Sequence, residues 1–273
     1  MLSPKQPESS SSTVRYGDRI LDWTATMVCW VWFTLGFVIF FSWRYLAVAL
    51  FVKNPEIHFQ RWNSSFYRIF FRVVRATMPR QRFEIDEKVA EIGSAVVVCN
   101  HLSYLDPLLL ISLFPRHRTI VKTKFFSTPI FGWMISKAGY LPATGEGPFA
   151  GRMIEQMETM EEYLRDGGNL FIFPEGTRSR DGRMGEFNRG AFKIARMCKV
   201  PLYILRLSNT DKLFTPGRFV FNSRIKNTIR VELIRRIEPD YSNSPPTTAE
   251  LMQWVRQTYD DAAVAKEGRG SAE

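Results

Sequence analysis

The sequence predicts an α/β fold: a mixed, mainly parallel sheet flanked by helices and preceded by an N-terminal membrane-associated helical segment. Three observations carry the prediction. From Phe83 onward, short apolar runs that read as strands alternate with helical patterns. Before that point, residues 23–43 contain no Asp, Glu, Lys, Arg or His. Between the two, residues 59–76 place arginines on one helical face and aromatics on the other.

Residues 1–19 open with a Ser-rich polar stretch and are expected to form a disordered tail. The uncharged stretch that follows, "WTATMVCWVWFTLGFVIFFSW", is long enough for a helix across a hydrocarbon core of about 30 Å. A signal peptide has a shorter apolar core, a basic start and a small-residue cleavage site. Here the start is mixed in charge and aromatics occupy the cleavage region, which favours a retained membrane segment. Arg44, inside the extended apolar run, leaves two arrangements open: a span, or a half-inserted hairpin.

In "FQRWNSSFYRIFFRVVRA", Arg61, Arg68, Arg72 and Arg75 share one face, while Phe59, Trp62, Phe66, Ile69, Phe70 and Val73 lie opposite. The pattern suits a helix lying in a headgroup layer, and it also suits a surface helix packed on the main domain; the apolar segment before it favours the first. Residues 53–82 hold seven Lys and Arg against Glu56 alone, which by the positive-inside rule puts the remainder on the cytoplasmic side. Residues 20–82 are therefore expected to anchor the chain, 83–240 to form the main domain, and 241–273 a C-terminal helix and tail.

The 273 residues suffice for one good-sized domain. A net charge of +10 calls for an anionic partner: nucleic acid, anionic lipid or a phosphorylated substrate. The membrane-seeking start assigns the charge to lipid, and no zinc-finger or RRM pattern supports nucleic acid. Cys29, Cys99 and Cys198 are odd in number and far apart, which excludes a disulfide framework and favours a reducing compartment. His58, His101 and His117 form no cluster, so no metal site is expected.

Strands are expected at 94–100, 118–122, 169–173, 202–207 and 228–237, with helices near 107–114, 129–138, 149–166, 188–198 and 247–265. Two strand ends carry chemistry. In "VVVCNHLSYLD", His101 follows a strand and Asp106 lies five residues on. An imidazole in a loop accepts a proton near neutral pH, and a carboxylate at the next helix start holds its tautomer. Asp106 before Pro107 is equally a helix cap, and local spacing leaves both open. In "NLFIFPEGTRSRDG", Gly176 lets backbone approach a ligand and Arg178 offers a planar fork for phosphate; an ordinary turn with a surface ion pair fits as well. No G-x-S-x-G elbow is present, which argues against a serine hydrolase and for a substrate that supplies its own nucleophile.

Taken together, Asn100-His101-x4-Asp106 and the later Phe173–Ser179 run "FPEGTRS" resemble the glycerolipid acyltransferases, and among them the 1-acylglycerol-3-phosphate acyltransferases. The resemblance spans about residues 95–210 and includes "KTKFFSTPIFGW" (122–133), "EFNRGAFKIA" (186–195) and "VPLYIL" (200–205). It implies that His101 is a general base, Asp106 its partner, and Glu175, Gly176 and Arg178 binders of the acceptor, with Asn100, Ser103 and Thr177 among the substrate-binding positions of the two motifs. It implies a lyso-lipid acceptor and an acyl-CoA or acyl-carrier-protein donor, with no metal or cofactor. One departure stands out: Gly145 occupies a position where the family commonly has a basic residue for the acceptor phosphate. Lys122, Lys124 or Arg178 would then compensate, or the acceptor is another lysophospholipid or a lyso-aminolipid. A membrane-attached binding module without catalysis is the non-enzymatic alternative, and it has no need of all six motif residues.

Overall fold

The structure, a computed structural model, describes residues 16–144, 146–178 and 184–270. It starts with a helical rod of three joined pieces: α1 (Tyr16–Val31), a wider π-helical segment (Trp32–Phe41) and α2 (Ser42–Phe51). The helix begins four residues before the expected boundary at 20, and the rest of the predicted tail lies outside the described residues. After a turn at 52–55 the chain doubles back as α3 (Glu56–Thr77), which packs along all three pieces. The hairpin is therefore made with α3, and no turn interrupts residues 23–51.

The domain follows as β1 (Gln81–Ile85), β2 (Ala95–Cys99), α4 (Leu105–Leu113), β3 (His117–Val121), α5 (Phe131–Lys137), β4 (Leu141–Pro142), α6 (Ala150–Glu158), α7 (Met160–Arg165) and β5 (Asn169–Ile172). It ends with α8 (Arg189–Cys198), β6 (Leu202–Ser208), α9 (Thr210–Leu213), β7 (Asn227–Ile237) and α10 (Thr248–Gly270). Seven strands form one sheet in the order β1-β7-β6-β2-β5-β3-β4. All neighbours are parallel except β6 and β7. The mixed, mainly parallel α/β architecture expected from the sequence is the one observed. Two strands were not anticipated. β1 reads "QRFEI", too polar to announce a strand, and it pairs with β7 146 positions away. β4 is only two residues long.

β2 shows why the sheet is central. All five of its residues are buried, as expected of a parallel strand covered on both faces. Ala95, Val97 and Cys99 join the apolar core under α3 and α4, while Val96 and Val98 join the core under α7, α8 and α10. A side-chain period of two thus feeds both layers from one strand.

The aromatic stripe of α3 corrects one expectation. Phe59, Phe66 and Phe70 are buried in protein, with Tyr67, Phe71 and Val74 beside them, rather than immersed in a headgroup layer. The stripe is covered by α4 on one side and by the N-terminal rod on the other, so its hydrophobic demand is met within the chain. Arg61, Arg68, Arg72 and Arg75 remain exposed on the opposite face.

A buried polar network bolts α3 to the sheet. Arg118, 3% exposed, makes a two-pronged pair with Glu56 at 2.7 and 3.0 Å and lies over the Tyr163 ring. Gln60 receives the His117 backbone N–H and the Tyr163 hydroxyl, and donates to Ala138 O. His117 Nδ1 lies 2.6 Å from Phe114 O and its Nε2 2.5 Å from the Tyr140 hydroxyl. Tyr140 continues to Asn63, and Asn63 to Tyr45 on α2.

Burial holds the His117 pKa down at about 4, against an ordinary 6.5. The unfolded chain therefore takes up a proton between these values that the folded state refuses. Stability attributable to His117 is complete above pH 6.5 and falls by about 3 kcal/mol as pH drops toward 4. Unfolding of the purified protein as a function of pH checks this: His117→Asn is expected to be weaker at pH 7.5 and to have a shallower decline below 6.5.

Candidate active site

The C-terminal edge of the sheet gathers the chemistry. β2 and β5 are parallel neighbours with Val98 opposite Ile172, so the segments after Cys99 and after Ile172 leave the sheet side by side. That register explains how His101 and Glu175, 74 positions apart, meet: the His101 backbone N–H donates to Glu175 Oε1 at 3.4 Å. β3 ends at the same edge, beside β5, and delivers Lys122 and Lys124, both exposed. Ligands of open parallel sheets collect at this edge.

His101 Nδ1 lies 2.9 Å from Asp106 Oδ2, and the ring stacks on Phe173 with centroids 4.3 Å apart. The imidazole is 17% exposed, while Asp106 is fully buried. With Nδ1 carrying its hydrogen toward the carboxylate, Nε2 is left as the proton acceptor. Asp106 Oδ2 also receives the Leu102 and Ser103 backbone N–H groups at 2.5 and 2.7 Å, and Oδ1 receives the Thr210 hydroxyl at 2.5 Å. The helix α4 begins at Leu105, so Asp106 is its second residue rather than its cap. Its side chain turns back to satisfy the loop amides that precede the helix, which leaves it in contact with His101 at the same time.

The second motif is braced in the same manner. Glu175 Oε2 accepts from the Gly185 N–H at 2.9 Å, so the carboxylate ties three stretches of chain together. Gly176 has φ +64°, a conformation that favours glycine, and a Cβ there would stand 2.7 Å from Asn188 Nδ2 and displace that side-chain amide. Arg178 lies 3.7 Å over the Tyr104 ring and donates from Nη2 to the Tyr104 hydroxyl at 3.0 Å. Its Nη1 is buried without an acceptor among the described residues. Thr177 is exposed beside it.

Two of the predicted substrate contacts take other places. Ser103 is fully buried, with its hydroxyl donated to Phe214 O, because the loop folds inward beneath His101. Asn100 exchanges two hydrogen bonds with the backbone of Leu207 at 3.0 and 2.7 Å, fastening the end of β2 to β6. Gly145 and Ser179 lie outside the described residues; next to Gly145, Thr144 bonds Thr123 at 3.2 Å. Residues that sequence reasoning missed are Thr210, for which no local signal exists, and Tyr104, which sits unmarked inside the His101 motif. Cys99, two residues before His101, is not a second nucleophile. Burial, with Asp106 and Glu175 nearby, pushes its pKa well up and keeps it a thiol. No group of three or more His, Cys, Asp or Glu suited to a metal occurs among the described residues.

Residues 80–208 match the family model for acyltransferases. A chloroplastic 1-acyl-sn-glycerol-3-phosphate acyltransferase of Brassica napus is 38% identical over 122 residues, covering 45% of this chain and 35% of the relative. A 1-acyl-sn-glycerol-3-phosphate acyltransferase of Saccharomyces cerevisiae is 28% identical over 170 residues, covering 60% of this chain and 54% of the relative. The chain thus matches about a third of the first relative's length and about half of the second's. In architecture it is similar to the crystal structure of the 1-acyl-sn-glycerophosphate (LPA) acyltransferase PlsC from Thermotoga maritima, with a TM-score of 0.64 at 19% identity over 89% of this chain and 96% of that one. The spacing of the two motifs, their meeting at one sheet edge and these matches agree: residues 80–208 form a domain similar to the acyltransferase family.

Proposed function

We propose that this protein is a membrane-bound 1-acylglycerol-3-phosphate O-acyltransferase that takes its acyl group from acyl-CoA or acyl-carrier protein. The observation that carries the reading is the His101–Asp106 pair, 2.9 Å apart, at the edge where the second motif also arrives. His101 Nε2 removes the proton from the free hydroxyl of the acceptor as its oxygen attacks the thioester carbonyl carbon. A C–O bond forms, the tetrahedral intermediate collapses, the C–S bond breaks, and the imidazolium returns its proton to the departing sulfur. Asp106 fixes the tautomer and faces the positive charge as it develops. The acceptor phosphate is met by Arg178, whose free Nη1 supports this role, with Lys122 and Lys124 at the same edge. Neither metal nor prosthetic group enters the sequence of steps.

The N-terminal rod supports attachment to one face of a membrane. Residues 20–51 are long and apolar enough to cross a bilayer. Yet Asp22 near the start is ion-paired with Arg224 at 3.1 Å, and Tyr45 near the end bonds Asn63. Both ends are thus fastened to the same domain. What the rod presents outward is an apolar surface along its whole length, from Ile20 and Val28 through Leu35, Ile39 and Phe40 to Leu50 and Phe51. This describes a helix lying in one leaflet with the domain behind it better than a span. Arg44 is accommodated within it by lying between the Trp43 and Trp62 rings, at 4.6 and 5.2 Å. The basic residues of 53–82 suit a cytoplasmic anionic surface.

Incubating the purified protein with a panel of lyso-lipids and labelled acyl-CoA or acyl-carrier protein is expected to yield phosphatidic acid from 1-acylglycerol-3-phosphate. Acylation of a different headgroup with that acceptor ignored would overturn the substrate assignment. His101→Ala is expected to lower kcat by roughly 10²–10⁴-fold with an unchanged unfolding midpoint. Asp106→Asn is expected to keep the loop amides bonded and lose most turnover; an unaltered rate would reduce Asp106 to a structural role. Arg178→Ala is expected to raise KM for the phosphorylated acceptor by about tenfold or more, as befits a lost charge-assisted hydrogen bond.

A further inference from the structure

Beyond Lys122 and Lys124, the segment "KTKFFSTPIFGW", which runs from the end of β3 into α5, has no part in the proposed chemistry, yet it contains a strained backbone turn. Ile130 has φ +62° and ψ −58°, and the Phe131 N–H closes onto Pro129 O at 2.6 Å. This is the rare form of three-residue turn, costly for a residue branched at Cβ. The turn is held from behind. The Gly132 N–H donates to Thr128 O at 2.7 Å, and a Cβ on Gly132 would collide with the Phe126 carbonyl. The surrounding chain therefore imposes a conformation that glycine would adopt freely, and places in it a large apolar side chain that is 66% exposed.

Strain of this kind persists where it has a use. Phe125, Phe131 and Trp133 are exposed around Ile130, and the Phe125 and Phe131 rings touch edge to face at 5.9 Å. Two further observations say what covers this patch. Trp133 packs on Phe59 at 5.2 Å, and Phe59 packs on Tyr45 of α2 at 4.9 Å. Trp133 and Lys53, two residues beyond the end of α2, also line one cavity of about 800 Å³. The patch and the end of the rod, where Leu50 and Phe51 are exposed, thus lie on either side of one cavity and are joined beneath it by packed rings. Lys124, over the Phe125 ring at 5.4 Å, and Lys137 at the end of α5 are exposed around it. Aromatic tips ringed by lysine are the composition of an interfacial anchor.

We infer that the 128–133 turn is a second membrane contact, a wedge whose Ile130 tip enters the acyl region of an anionic lipid surface alongside the α2 end of the rod. It rests on the reading of the rod as a membrane helix. Lipid contact at two places, one on each side of the cavity, fixes the rotation of the domain about the rod. A single helix lying in the interface resists that rotation only through its own apolar face.

The test uses the full chain with Ile130→Cys carrying an environment-sensitive fluorophore; Cys29, Cys99 and Cys198 are buried. Vesicles of phosphatidylglycerol and phosphatidylcholine are added, and floated vesicles report binding separately. The expected result is co-flotation, a blue shift with several-fold gain in intensity, and quenching by lipids labelled near the top of the acyl chain. Co-flotation with an unshifted label overturns the wedge and leaves the rod intact. Failure to float overturns both. A shift that rises with protein concentration without vesicles assigns the patch to a second copy of the chain and also overturns the wedge. Ile130→Gly supplies a second readout. Relief of strain is expected to hold its unfolding midpoint at or above wild type, while turnover of vesicle-embedded acceptor falls and that of detergent-dispersed acceptor does not. An equal rate on vesicles overturns the proposal.

Discussion

The Asp106 carboxylate is the constraint on which the site depends. Four donors converge on it from two parts of the chain: the imidazole and two loop amides after β2, and the Thr210 hydroxyl at the start of α9. Buried acceptors of this kind are costly to leave unpaired, so the loop cannot move without breaking several bonds at once. His101 therefore has its orientation set before any substrate arrives. The question of whether Asp106 serves the fold or the chemistry dissolves in this geometry, because one oxygen binds both the loop amides and the imidazole. The catalytic assignment remains the proposal, and the bracing is what makes it mechanically reasonable.

The sheet performs the corresponding task over longer distances. Parallel pairing of β2 with β5 converts a separation of 74 residues into one hydrogen bond between His101 and Glu175. Both motifs were legible in the sequence because each is local: an apolar strand running into residues with unusual chemistry. What joins them was not legible. Thr210 carries no mark in "LSNTD" that separates it from any threonine after a strand, and only the β2–β6 pairing brings it under Asp106. Asn100 and Ser103 show a related limit. A polar residue inside a motif announces a hydrogen bond, and whether the partner is a substrate or the backbone depends on which way the loop turns. Here Asn100 turns to Leu207 and Ser103 to Phe214.

The N-terminal region shows the same limit for apolar residues. A hydrophobic stripe states that a helix face is hidden from water and does not state by what. The stripe of α3 is hidden by α4 and the rod, whereas nothing among the described residues covers the rod's outer face. The two were indistinguishable in kind from sequence. They differ because α3 lies between two layers and the rod lies outside both. β1 escaped notice for the opposite reason: as an edge strand with only Gln81 fully buried, it has almost no apolar pattern to read.

These layers also determine how firmly the rod, held at a membrane as proposed, would position the site. The rod is bonded to α3 through Tyr45 and Asn63, and α3 to the sheet through Gln60, Glu56 and Arg118. α3 reaches α4 through the Ser64 hydroxyl on Ser112 O at 3.3 Å, and α4 begins at Asp106's own loop. Each step is between packed or hydrogen-bonded elements, with no flexible linker in the path. A base held this way keeps a fixed depth relative to whatever surface the rod occupies. Under the proposed function, an acceptor whose acyl chain stays in the lipid would present its hydroxyl at that depth, and a rigid path from anchor to imidazole would supply part of the alignment that catalysis otherwise has to gain from binding alone.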